Sequence, residues 1–91
     1  MTIQIGKDLI YLDEIGLIEN LQPFSVPVGW NENGSIKYKD LGLGFCILFK
    51  NGAKRCYTEQ EDKQIKEKHQ KIKMYLKQKG ELKWVILKMW N

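Results

Sequence analysis

The spacing of apolar and polar residues predicts several short strands followed by one long helix. Residues 3–5 and 9–12 have strand character and are separated by a turn that contains a glycine. Residues 15–21 fit a period of two and a period of three equally well, but Gly16 in the interior favours a strand. The last apolar segment, Leu82–Trp90, is apolar on both faces, which is typical of a well-covered strand.

Two Asn-Gly pairs predict two β-hairpins, because both residues tolerate the positive φ angles of tight hairpin turns. The first pair lies between residues 28–32 and 35–39, and the second lies between residues 45–49 and 54–57. Residues 22–27 contain two prolines, which cannot donate to a ladder, so this segment is expected to be irregular or an edge strand. Residues 40–44 contain two glycines and are predicted to form a bend.

The helix is predicted over Glu59–Lys79. Thr58 stands at the N-cap position with Glu61 three residues later, which is a capping-box pattern, and Gly80 suits the position after the last turn. The apolar positions form a narrow stripe consisting of Ile65, His69 at the same spacing, Ile72 and Leu76, flanked by Tyr75.

These elements predict one α+β domain over residues 1–91: a mostly antiparallel sheet or roll of about five to seven short strands, covered by one long helix and ending in a strand. The order of strands, hairpin and helix loosely resembles pleckstrin-homology-like modules. The expected strand Leu82–Trp90 after the helix departs from that pattern.

Charge is divided unevenly along the chain. The net charge is +4, yet residues 1–50 carry four lysines against six acids, whereas residues 51–91 carry eleven basic residues against five acids. No apolar run is long enough to span a bilayer and no signal-peptide pattern is present, so a cytoplasmic protein without membrane contact is expected. If the second hairpin has a two-residue loop, Cys46 and Cys56 point to opposite faces and a disulfide is not expected.

A row of basic residues at helical spacing is the main candidate site. Its positions are predicted to contact nucleic acid together with two residues of the second hairpin, and the full set is Lys54, Arg55, Lys63, Lys66, Gln70, Lys73 and Lys77. The alternative for the helix is a solvated surface that only keeps the domain soluble. Because Arg55 is the only arginine, contacts to the phosphate backbone are expected rather than sequence readout.

The first functional hypothesis is therefore a non-enzymatic module that binds nucleic acid or a ribonucleoprotein, in the manner of a regulator or inhibitor from a phage or other mobile element. The second is a protein–protein interaction module of adaptor or immunity type that uses Trp30 and Trp90. The third is a small toxin-type ribonuclease in which His69, Arg55 and a lysine are catalytic. We expect no cofactor and no metal site, because the two cysteines and His69 lack a metal-binding spacing.

Overall fold

The computed structural model describes residues 1–80, and within them the chain forms six strands and one α-helix. The elements in chain order are β1 (Thr2–Ile5), β2 (Asp8–Tyr11), a 3-10 turn (Leu12–Glu14), β3 (Ile15–Ile18), β4 (Gln22–Trp30), β5 (Ile36–Phe49), β6 (Lys54–Thr58) and α1 (Ile65–Gln78). The predicted mixture of antiparallel strands and one helix is confirmed. The predicted strand Leu82–Trp90 lies outside the described residues.

Strand β5 is the centre of the main sheet, and all its neighbours are antiparallel to it. Ile47 pairs with β3 on one edge and with β6 on the other edge. Gly44 pairs with β4 and also with β6, so β3 and β4 follow the same edge of β5 in succession. The remaining strands, β1 and β2, form a separate hairpin.

One face of the β3–β5–β6 part of the sheet is covered by the β1–β2 hairpin and α1. Alternate residues of β5 point to this covered face, where Phe45 and Ile47 are fully buried. The buried apolar residues form a single core consisting of Ile5, Ile10, Leu12, Ile15, Ile18, Phe45, Ile47, Tyr57, Ile65, Ile72 and Leu76. The apolar stripe predicted for the helix is therefore confirmed as the surface that packs on the sheet.

The rest of the sheet is a two-stranded arm, which we define as residues 22–43. It consists of β4 and the first half of β5, paired from Gln22 opposite Gly44 to Trp30 opposite Ile36. Nine residues of β4 span about 30 Å. Both Asn-Gly pairs lie in hairpin turns as predicted, but only the glycine of each pair has a positive φ, so neither turn has the predicted geometry; the proline-containing segment is an edge strand. The predicted bend at 40–44 is wrong: the strand continues, and the glycine signal corresponds to a register shift opposite Phe24–Ser25, where Gly42 has φ +80°.

The helix begins at Ile65, six residues later than predicted. Thr58 and Glu61 do interact, since the Glu61 carboxylate accepts hydrogen bonds from the Thr58 N–H (2.6 Å) and from its hydroxyl (2.7 Å). These bonds close a turn at the end of β6 and do not start the helix. A local capping pattern therefore identified the turn correctly but placed the helix start too early.

The prediction that the two cysteines cannot pair is wrong. The Phe49 N–H donates to the Ala53 carbonyl (2.8 Å), which makes the loop three residues long rather than two. The register consequently moves by one residue, so Cys46 lies directly opposite Cys56 and the two form a disulfide. This disulfide lies on the sheet face opposite α1, because its neighbours in the register, Ile47 and Arg55, point to the covered face.

Candidate functional site

The helix exposes a set of lysines on one side of its buried stripe. We define the lysine row as Lys63, in the turn before α1, and Lys66, Lys73 and Lys77 on α1; Gln70 lies among them, and all five side chains are exposed. At a rise of 1.5 Å per residue, Lys66 and Lys77 are about 16 Å apart along the axis. No carboxylate forms an ion pair with these lysines in the described part of the chain.

Acidic groups lie instead on the opposite flank of the helix. Lys68 pairs with Asp62, which also accepts a hydrogen bond from the Gly6 N–H (3.0 Å). In the last turn of α1, the Tyr75 hydroxyl donates to Asp13. Burial alone would raise the pKa of Asp62, but the hydrogen bonds that it accepts outweigh burial and lower it, and the Tyr75 hydrogen bond lowers the pKa of Asp13. Both aspartates therefore remain ionised at neutral pH. The acids thus tie this flank to the β1–β2 hairpin and the 3-10 turn, while no lysine of the row is ion-paired within residues 1–80.

His69 attaches the side of α1 next to the lysine row to the sheet. Its Nε2 atom lies 3.0 Å from the Glu19 carbonyl oxygen, just after β3, and its ring meets Phe45 edge-on with 4.7 Å between centroids. Burial is the main cause that lowers the pKa of His69, and the nearby Lys73 lowers it further. The neutral ring therefore acts as a core residue whose Nε2 is paired with a backbone carbonyl.

The two basic residues of the second hairpin are not part of the lysine row. Lys54 lies on the sheet face opposite α1, and its Nζ is 3.0 Å from a Glu19 carboxylate oxygen. Arg55 points to the covered face, where a guanidinium nitrogen is 3.5 Å from Asp8. The structure therefore does not bring Lys54 beside the helix, and it gives Arg55 an acidic partner on the β1–β2 hairpin.

The arm presents the second exposed surface. Ile36 and Tyr38 alternate with lysines along β5, so they share one face, and their opposite partners on β4 are Trp30 and Pro27. Exposure is 73% for Trp30, 59% for Tyr38 and 43% for Ile36. We define these four residues as the apolar arm face. Trp90, the other tryptophan proposed as a partner contact, lies outside the described residues.

A groove that the sequence did not predict separates β2 from the β5–β6 hairpin. Its volume is about 650 Å³, and it is lined by Leu9, Tyr11 and Phe49 beside a polar cluster. In this cluster the Tyr57 hydroxyl donates to Asp8 (2.8 Å). Burial, reinforced by this hydrogen bond, raises the pKa of Tyr57 to about 12, so the hydroxyl remains protonated and joins the hairpin to the sheet. The sequence did not predict this polar contact, because Asp8 and Tyr57 are 49 residues apart.

Comparison of the chain with family models, with curated proteins and with solved structures finds no match. Among the described residues, no helix combines the length and apolar character needed to cross a membrane. The two exposed surfaces, the lysine row and the apolar arm face, are the features from which a function can be inferred.

Proposed function

We propose that the protein is a small non-enzymatic binding module that holds nucleic acid, either free or within a ribonucleoprotein, against the lysine row. The observation that carries this proposal is that, among the residues the structure describes, no carboxylate is ion-paired with the row, whereas nearby acids are used on the other flank of α1. A solvated surface helix normally alternates its charges at i,i+4 spacing, which this side of α1 does not. The uncompensated charge favours a polyanionic ligand.

The dimensions of the row suit a phosphate backbone. The distance of about 16 Å between Lys66 and Lys77 corresponds to about five nucleotides at the 3.4 Å rise of one B-DNA strand. Lysine contributes a mobile point charge rather than the rigid fork of arginine, so these contacts position the ligand and do not read base sequence. Binding through the row is therefore expected to depend weakly on sequence.

The experiment compares two variants with the same net charge. In the row variant, Lys63, Lys66, Lys73 and Lys77 are changed to glutamine; in the control variant, the exposed Lys7, Lys37, Lys39 and Lys71 are changed to glutamine. Fluorescence anisotropy is measured with labelled single-stranded RNA, double-stranded RNA and double-stranded DNA. The proposal predicts a loss of affinity in the row variant that the control variant does not share. Equal losses would show that only net charge matters.

We also propose a second function, protein–protein interaction through the arm, because the apolar arm face is exposed. Large apolar side chains on a protruding hairpin are typical of a partner contact. This function predicts that Trp30→Ala weakens capture of a protein partner while leaving nucleic-acid affinity unchanged. A Trp30→Ala protein that retains every partner captured by the unmodified protein would contradict it.

A further inference from the structure

The two edges of the arm differ in their ability to accept another strand. The outer edge of β4 contains Pro23 and Pro27, which have no N–H to donate, and its pairing with β5 is interrupted by two register shifts. This edge is therefore poorly suited to a continuous ladder. The outer edge of β5 over residues 36–41 contains no proline.

Strand β6 covers only the second half of this β5 edge. Its last ladder partner is Thr58, opposite Gly44, and the last backbone bond beyond it runs from the Glu59 N–H to the Leu43 carbonyl (2.9 Å). Within residues 1–80, no strand pairs with 36–41 on that side. A strand added there would extend the sheet in line with β6.

Side chains at residues 36–39 of this edge alternate between two chemistries, and Asp40 then places an acid on the same face as Tyr38. Ile36 and Tyr38 belong to the apolar arm face, whereas Lys37 and Lys39 point to the other face and are exposed. In an antiparallel pair, directly opposed residues share a face and interact. A complementary strand therefore needs acidic residues opposite the two lysines and apolar residues opposite Ile36 and Tyr38.

We propose that the β5 edge at residues 36–41 binds an extended segment of a partner protein in which acidic and apolar residues alternate. This proposal rests on the second proposed function and specifies its mode: main-chain hydrogen bonds extend the sheet, and the alternating side chains select the segment. It does not involve the lysine row.

Charge disfavours two strands that this chain itself could supply to the edge, namely β5 of a second copy and the segment 82–90. A second copy pairing antiparallel about a two-fold axis would set lysine against lysine in every register centred on residue 37, 38 or 39, and like charges directly opposite are destabilising. The segment 82–90 contains Lys83 and Lys88 and no acid. An acidic strand therefore complements Lys37 and Lys39 better than either of these two occupants.

The test uses the full-length protein and a capped eight-residue peptide of alternating valine and glutamate. Hydrogen exchange read out by NMR should show that the amides of 36–41 that do not bond to β4 exchange fast in the free protein and slowly with the peptide, with no change in 22–30. Lys37→Glu combined with Lys39→Glu should weaken peptide binding about tenfold, since two favourable cross-strand pairs become repulsive. A peptide of alternating valine and lysine is the matched control.

Several results would overturn this inference. Slow exchange of the outer-edge amides of 36–41 in the free protein would mean that this edge is already covered, and a dimer that protects these amides would assign the edge to a second copy. Absence of peptide binding, or protection of 22–30 instead, would reject the proposed mode. If the peptide does not bind but Trp30→Ala still abolishes capture of a protein partner, the arm is an interaction site and only the strand-pairing mode is wrong.

Discussion

Reduction of the Cys46–Cys56 disulfide should destabilise the protein by about 2.7 kcal/mol. The two cysteines are separated by 10 residues along the chain. For a closed loop of about ten residues, the chain-entropy relation gives about 9 cal/mol/K, which is about 2.7 kcal/mol at 25 °C. The bond joins directly opposed residues of β5 and β6, so its loss leaves the native ladder intact and acts through the freer unfolded chain.

The assay is urea unfolding of the protein with and without reductant, monitored by tryptophan fluorescence. A Cys46→Ala/Cys56→Ala variant is the control, because reductant should not change its midpoint. Mass spectrometry after thiol alkylation establishes the oxidation state of each sample. Failure of the two thiols to form the bond under a mild oxidant, or a difference below about 0.5 kcal/mol between oxidised and reduced protein, would refute the register derived for the second hairpin.

Three further predictions concern stability, measured by the same urea assay. Gly44→Ala should cost about 3 kcal/mol of unfolding free energy, because a Cβ there would lie 2.3 Å from a carbonyl oxygen of β6. Gly52→Ala should cost only about 1 kcal/mol, because Gly52 has φ +92° but faces open space. Ile72→Ala should cost about 2–5 kcal/mol because Ile72 is fully buried, whereas Met74→Ala on the exposed side should change stability by less than about 0.5 kcal/mol. Similar urea midpoints for the two variants would contradict the orientation of the helix. Because the pKa of His69 is lowered, the unfolded chain gains a proton before the folded protein does as the pH falls below 6.5. The unfolding free energy should therefore decrease below this pH in the unmodified protein and decrease less in His69→Gln. Identical pH profiles of the two proteins would exclude a buried neutral histidine.

Local signals in the sequence predicted much of the fold. The Asn-Gly hairpins, the strand predicted over residues 15–21, of which Ile15–Ile18 form β3, and the helix stripe around Ile72 all depend on residues close together in the chain. Errors arose where a short-range pattern had two geometric solutions. One extra loop residue reversed the relation of Cys46 to Cys56, and the Thr58–Glu61 pair closed a turn instead of a helix.

The candidate sites were predictable only in part. Helical spacing was sufficient to place Lys66, Lys73 and Lys77 on one exposed side, because a regular helix fixes relative directions. It could not show that Arg55 faces Asp8 across the fold, since that contact depends on how the β1–β2 hairpin packs on the sheet. Exposure of the apolar arm face was equally hidden, because alternation along β5 looks the same on a covered sheet and on a protruding arm.

The most direct test of the central proposal is the salt dependence of nucleic-acid binding from about 50 to 200 mM salt. Each lysine that contacts duplex DNA should contribute about 0.9 to the slope of log K against log salt, so neutralising the lysine row should make the slope shallower by up to about 3.6. The control variant, with four lysines removed elsewhere, should keep the slope of the unmodified protein. Equal slopes in the two variants, or no binding at the lowest salt, would contradict the proposal that the lysine row holds a phosphate backbone.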